Sequence, residues 1–235
     1  NVWDMTSTGG PPVVLLHGFG TSFTTTWEQS GWSALLSDAG RQVIPVDLLG
    51  HGEAAKPTDP EDYAEVESLV LEQLPAEPVD AIGFSMGARV LLVLAAASPE
   101  RFNRMVVAGV GRNLFEDDRV RRKAVIEAVR TGNAADPELA YFARLPESPG
   151  ADRAALAAFL ARPDPPPITE ESLAGVSVPV LVVLGDQDFA GPPDQLVAAL
   201  PDATLTTLVG VDHFATPENF GFIDAALEFI GAQPF

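Results

Sequence analysis

Short apolar runs set the rhythm of this chain. Val13–Leu16, Gln42–Asp47, Val79–Phe84, Met105–Gly109, Val180–Gly185 and Thr204–Val209 are bounded by turn-forming residues and rich in Val, Ile and Leu. Runs with little polar alternation predict strands buried on both faces. Amphipathic stretches separate several of them. Trp32–Ala39 has Ser30 or Ser33 as a candidate cap and Gly40 as a stop. Glu61–Leu74 places Tyr63, Val66, Leu69, Val70 and Gln73 near one helical face and acids on the other, whereas Met86–Ala97 is apolar almost all round. A helix of the second kind must be buried. Asp194–Leu200, after Pro192-Pro193, and Phe220–Ile230 complete the helical set. Strand and helix in alternation predict an α/β domain with a mostly parallel central sheet and helices on both faces.

The alternation stops between Gly111 and Leu173. Asp117–Arg130, Pro137–Arg144 and Ala151–Ala161 read as helices, and the proline-rich stretch Pro163–Pro167 as a stiff return path. A crossover between strands usually needs one helix. Residues 111–173 are therefore expected to be a small helical cap insertion over the strand ends, with 1–110 and 174–235 forming the core.

Composition narrows the chemistry. At 235 residues and 46% hydrophobic content, one globular unit is expected. No apolar run approaches the roughly 20 residues of a membrane span. Asn1–Thr8 lacks the basic start and apolar core of a secretion signal and cysteine is absent, so a cytoplasmic location is expected, with secretion the alternative if a segment precedes residue 1. The absence of cysteine excludes disulfides, thiolate metal sites and a thiol nucleophile. A net charge of -19 argues against nucleic acid or an anionic membrane as partner. Lys56 and Lys123 are the only lysines; of a salty environment and coding bias we favour coding bias, the Ala and Pro content also being high. Glu116-Asp117-Asp118 suits the start of a solvated helix better than a metal site. No metal and no cofactor is expected, and the expected partner is a small molecule.

Gly83-Phe84-Ser85-Met86-Gly87 joins the third apolar run to the helix that follows. A strand that turns abruptly into a helix leaves one hydroxyl at the apex, and Gly83 and Gly87 keep the crowded turn free of Cβ atoms. Ser85 is the candidate nucleophile; an incidental serine in a glycine-rich turn is the competing reading. Such a hydroxyl needs a base. His17, His51 and His213 all follow strand ends, so position alone does not choose among them. His17-Gly18-Phe19-Gly20 is better used as an oxyanion loop, its glycines letting backbone approach a carbonyl oxygen. The N–H groups of Phe19 and Met86 are the expected donors. Gly-flanked His51 reads as a structural turn residue, which leaves His213 as base. Of the two carboxylates after the fifth run, Asp188 is chosen to orient His213, and Asp186 is read as bonding nearby backbone in the turn.

In the order Ser85, Asp188, His213, the chain resembles α/β-hydrolase-fold proteins of the serine-esterase and lipase-like kind. The matching pieces are His-Gly-Phe-Gly at 17–20, Asp-Leu-Leu-Gly-His-Gly at 47–52, Gly-Phe-Ser-Met-Gly at 83–87, Gly-Asp-Gln-Asp at 185–188 and Gly-Val-Asp-His at 210–213. In that family the acid usually lies three residues past the strand-ending glycine, which supports Asp188. The resemblance implies a serine hydrolase that cleaves a carboxylic ester through an acyl-enzyme on Ser85, with the cap shaping the pocket. It also leaves open lactones, thioesters, small amides, carbon–carbon bonds, a lyase of the menaquinone-pathway type, and a ligand receptor with slow turnover. Phe84 stands where the family often has histidine, Glu53-Ala54 replaces a frequent small polar residue, and Asn1–Met5 fits a second strand with the first missing. Trp27, Phe84, Phe142 and Phe159 are candidates to line an apolar pocket, against a reading as core packing. Arg89 and Arg112 are candidates to meet an acidic group, against a reading as ion pairs.

Overall fold

The computed structural model describes residues 9–116, 118–134, 136 and 139–233; the strand expected at Asn1–Met5 lies outside them. The strands are β1 (Val13–Leu16), β2 (Val43–Val46), β3 (Val79–Phe84), β4 (Phe102–Ala108), β5 (Val180–Gly185) and β6 (Ala203–Leu208). They form one parallel sheet in the order β2-β1-β3-β4-β5-β6. Chain order reverses between β1 and β3, and the crevice beyond the strand ends at such a switch point is where open α/β sheets place their ligands.

The helices are α1 (Trp32–Asp38), α2 (Val66–Leu71), α3 (Met86–Ala97), α4 (Arg119–Thr131), α5 (Ala140–Arg144), α6 (Arg153–Ala161), α7 (Glu170–Leu173), α8 (Asp194–Ala199) and α9 (Phe220–Phe229). Because successive side chains point to opposite faces of a strand, β1 feeds two cores. Val14 and Leu16 pack with residues of α2, α3 and α8 on one side of the sheet. Val13 and Leu15 pack with Trp32 of α1 and Phe222 of α9 on the other. Central helix α3 is buried along most of its length, as its nearly unbroken apolar sequence requires.

Local differences from the pattern-based reading have physical causes. The helix expected over Glu61–Leu74 is broken into a 3-10 turn at Pro60–Tyr63 and α2, with Glu65 outside helical geometry at φ -114°. Buried Tyr63 turns inward, its hydroxyl donating to Pro57 O at 2.6 Å, and this anchoring redirects the chain. Neither Ser30 nor Ser33 caps α1. Gly31 starts it at φ 87°, while Ser30 donates to Thr26 O and closes a π-type turn at Thr24–Glu28.

Between β4 and β5 the chain is helical among the described residues, from α4 to α7. Asp118 and Asp152 cap α4 and α6 by accepting from Arg121 and Ala155 N–H groups. Arg122 of α4 donates to Leu160 O and Arg162 O, and Arg153 of α6 donates to Val129 O, so the two helices are lashed together. Leu145, after α5, reaches the loop at Gly20: a Cβ there would lie 2.8 Å from the leucine side chain. This contact brings the helical segment onto the strand-end crevice.

Candidate active site

The turn from β3 into α3 raises Ser85 at φ 53° and ψ -111°, the positive-φ residue other than glycine among those described. Such a conformation costs on the order of 1–3 kcal/mol and persists only where the surroundings enforce it. They do so through backbone contacts: Ser85 N–H donates to Ala108 O at 2.8 Å and Gly87 N–H to His17 O at 3.1 Å. Glycine is required at the flanks. A Cβ on Gly83 would lie 2.7 Å from Ala88 N, and one on Gly87 only 2.2 Å from Leu16 O.

His213 and Asp188 come from the loops after β6 and β5. The loops are tied by Asp186 N–H to Leu208 O at 3.0 Å, by Gln187 N–H to Val211 O at 3.2 Å, and by Gly210 N–H to the Asp186 carboxylate at 2.8 Å. Asp186 therefore bonds backbone, and Asp188 faces the imidazole. His213 Nδ1 lies 3.0 Å from both Asp188 carboxylate oxygens, and Nε2 lies 3.0 Å from Ser85 Oγ. With Nδ1 protonated, Nε2 is left to accept from the hydroxyl. Ala190 N–H donates to Asp188 Oδ1 at 2.8 Å and fixes the carboxylate. Phe84 and Phe189 flank the imidazole with ring centroids 4.9 and 4.3 Å away. The arrangement can draw a proton from Ser85 and hold the resulting imidazolium against a buried carboxylate.

His17 and His51 serve the opposite side of the elbow. Leu48 N–H donates to His17 Nε2 at 3.1 Å, and His17 Nδ1 contacts Gly18 O at 2.8 Å, so this buried ring pins the loop carrying Phe19. The loop passes close to the nucleophile: a Cβ on Gly18 would be 3.6 Å from Ser85 Cβ. Met86 opens α3, where backbone N–H groups have no intrahelical acceptor. His51 packs against Phe19 and Phe159 at 5.5 and 5.2 Å. Burial first, then the neighbouring His17, pulls its pKa down to about 3.

That depression links folding to pH. An unfolded imidazole gains its proton below about 6.5, whereas folded His51 does so only below about 3. Between those limits the unfolded state binds more protons, so stability rises with pH and is lost on acidification, at about 1.4 kcal/mol per pH unit. Urea midpoints are expected to fall from pH 7 to pH 5, and His51→Asn to remove about 2 kcal/mol of that fall. Equal falls in the two proteins would refute the assignment to His51.

A cavity of about 960 Å³ opens beside Ser85, lined by Phe19, Met86 and Val110 from the core and by Phe115, Phe159 and Leu160 from the helical segment. Phe159 is thus part of the lining. Trp27 is not: it is fully buried on the α1 and α9 side of the sheet, edge-on to Trp32 at 5.2 Å. Its size and aromaticity made it a pocket candidate, but the π-type turn at Thr24–Glu28 delivers it to the α1 and α9 side of the sheet, away from the cavity. Phe84 sits behind His213 in that same core, and Phe142 packs with Ala128, Leu139 and Ala143 inside the helical segment. Arg89 lines the cavity, whereas Arg112 pairs with Glu116 at 2.8 Å. Not picked out from the sequence were Arg119, Arg122 and Arg162, which also line the cavity, and Phe189 and Phe214, whose rings lie 4.3 and 5.4 Å from that of His213. Phe189 and Phe214 directly follow Asp188 and His213, a signal that was available. The arginines on α4 and after α6 carried none, because only packing brings them to the elbow.

Among the described residues, no helix is long and apolar enough to cross a membrane, and no cluster of His, Asp and Glu could hold a metal ion.

Residues 13–225 match the model of the alpha/beta hydrolase family. The chain is 37% identical over 106 residues to a haloalkane dehalogenase from Mycolicibacterium paratuberculosis, and 33% identical over 109 residues to a 2-hydroxymuconate semialdehyde hydrolase from a Pseudomonas species. These alignments take in 42% and 44% of this chain, but only 34% and 38% of those two proteins. Among solved structures, a hydrolase from Pseudomonas aeruginosa PA01 matches with a TM-score of 0.73 at 26% identity, over 95% of this chain and 91% of that one. The enol-lactonase from Burkholderia xenovorans LB400 shares the fold, with a TM-score of 0.69 at 23% identity over 95% and 92% of the two chains.

Proposed function

Because the chain belongs to the alpha/beta hydrolase family, we propose that it cleaves a carboxylic ester by acyl transfer to Ser85. The observation that carries the reading is the continuous relay from Ser85 Oγ through His213 to Asp188, each step 3.0 Å long. Ser85 Oγ attacks the ester carbonyl carbon as His213 Nε2 takes its proton. The N–H groups of Phe19 and Met86 donate to the carbonyl oxygen as it becomes negative. As the tetrahedral adduct collapses, His213 returns the proton to the departing alkoxide, which leaves as alcohol. Water then attacks the Ser85 ester with His213 again as base, releasing the carboxylic acid and restoring the hydroxyl. Asp188 stays ionised throughout and stabilises the imidazolium.

Residues 111–173 act in this reading as a cap that closes one wall of the substrate cavity. Lactones fit the same cycle, since the leaving alcohol need only be tethered to the acyl group. The reaction named for the dehalogenase relative does not transfer to Ser85. Displacing a halide with a serine hydroxyl would leave an alkyl ether, which water at this site has no carbonyl to attack.

Acyl-enzyme formation provides the test. Mixing the protein with 4-nitrophenyl butyrate is expected to release a burst of nitrophenol equal to the protein present. Intact mass analysis after acid quench is then expected to find one butyryl group, mapped to Ser85. Turnover undiminished in Ser85→Ala would overturn the acyl-enzyme route, and an adduct that never turns over would favour a receptor.

A further inference from the structure

The wall of the cavity beside Ser85 contains an unbalanced charge. Arg89, one turn along α3, and Arg162, just after α6, both line it, and Glu67 of α2 lies beneath them. Glu67 Oε1 is 3.7 Å from Arg89 Nη1 and 3.8 Å from Arg162 Nη2, too far for a hydrogen bond to either. Side-chain exposure is 9% for Glu67, 24% for Arg89 and 8% for Arg162. Two guanidinium groups therefore share one carboxylate in a place largely removed from water, with a net charge of +1. Arg89 Nη1 and Glu67 Oε1 are buried without hydrogen-bond partners among the described residues. Desolvation, then the neighbouring like charges, lowers the pKa of Arg162 to about 10, which still leaves it charged at neutral pH.

Charge buried in this way is costly unless a counter-charge completes it. The acids on the cavity lining are engaged elsewhere: Glu116 pairs with Arg112, Asp164 with Arg122, and Asp118 caps α4. Asp164 and Glu116 also lie at the exposed rim, with 72% and 51% of their side-chain surface open. Arg89 is fixed in place because one of its nitrogens donates to Pro166 O at 2.7 Å. Arg89 lies four residues, about one helical turn, after Ser85, and both line the same cavity. In a chain of net charge -19, which repels anions at long range, a pair of arginines lining the same cavity as the nucleophile marks a local exception.

We propose that this wall is a subsite for a carboxylate on the substrate's acyl chain, received by Arg89 and Arg162, with Glu67 beside them offsetting one of their two charges. The guanidinium fork suits a carboxylate, whose two oxygens can accept from both arginines at once. The substrate class is then a half-ester of a short dicarboxylic acid: the ester carbonyl at Ser85 and the free carboxylate about one helical turn, roughly 5 Å, further along α3. This inference rests on the acyl-transfer reading above for the ester, but not for the anion.

Mono-4-nitrophenyl adipate and 4-nitrophenyl hexanoate form a matched pair, equal in acyl length and differing in the terminal carboxylate. The intact protein is expected to favour the adipate ester at least 10-fold in kcat/KM. Arg162→Gln and Arg89→Gln are each expected to cut that ratio about 10-fold, chiefly through KM. Glu67→Gln keeps the shape while raising the local charge, so the ratio should rise about threefold; a merely structural role for Glu67 would leave the ratio unmoved. Calorimetric titration with adipate supplies a readout independent of chemistry. Adipate binding that weakens 10-fold in Arg162→Gln, with neither ester hydrolysed, would retain the subsite and overturn the acyl-transfer reading. Equal turnover of both esters, with adipate binding absent or indifferent to both arginines, would overturn the subsite and leave that reading intact.

Discussion

Ser85→Ala is expected to lower kcat on 4-nitrophenyl butyrate by about 10⁶-fold, leaving a residual rate about 10³-fold above water. The loss is this large because the hydroxyl, the imidazole and the carboxylate act as one unit. Without Oγ, His213 Nε2 has no proton to take, and the attacking atom is gone. In the proposed mechanism the residual activity is that of the Phe19 and Met86 N–H groups, whose donation to the carbonyl oxygen does not need Oγ. Consequently His213→Ala should cost about as much, and the double variant scarcely more than either alone. Steady-state kcat of the three proteins, normalised by fluorophosphonate titration of the unmodified one, decides this. Losses that multiply in the double variant would show that the side chains act separately. Ser85→Gly offers a second readout, since φ of 53° is strained for serine and open to glycine. It should lose the same activity yet melt at a higher denaturant concentration than Ser85→Ala, by about 1 kcal/mol.

Gly87→Ala has the largest expected effect on folding. The added Cβ would sit 2.2 Å from Leu16 O and 2.5 Å from Leu16 C, both backbone atoms of a central strand. A flexible side chain could swing away; a β1 carbonyl cannot, because that strand is paired with β2 on one side and β3 on the other. Either α3 lifts off the sheet, breaking the bond from Gly87 N–H to His17 O, or β1 shifts and drags the Phe19 loop with it. A cost of about 3 kcal/mol or more follows, at the upper end for overpacking. The same displacement should lower ester turnover even in the fraction that folds. Urea denaturation followed by circular dichroism tests the first claim, and kcat at a concentration of folded protein fixed by that curve tests the second. Unchanged midpoints would mean that the contact between α3 and β1 relaxes freely.

How much of this could be read from the chain differs between its parts. The inner strands were visible because a parallel sheet buried on both faces demands unbroken apolar runs, and edge strand β6, largely exposed, was visible through its β-branched threonines instead. β4 begins earlier than expected, at Phe102, because exposed Asn103 and Arg104 hide its apolar start. At the site, position after a strand end did not separate Asp188 and His213 from their rivals, which follow strand ends too; the structural work open to those rivals did. His17 pins the loop at Phe19, His51 is buried behind it, and Asp186 binds Gly210 N–H.

By itself, the sequence determined the sheet, the strained turn at Ser85 and the identity of the groups that meet there. Those properties are local: they depend on periodicity, on glycine where no Cβ fits, and on residue order along single segments. Only the tertiary structure decided which face each side chain serves. It sent Trp27 into the core opposite the cavity, and it brought Arg89 and Arg162 together over Glu67 from three separate helical segments. Contacts between distant segments depend on how helices pack over the sheet, and that packing leaves no spacing in the chain from which to read it.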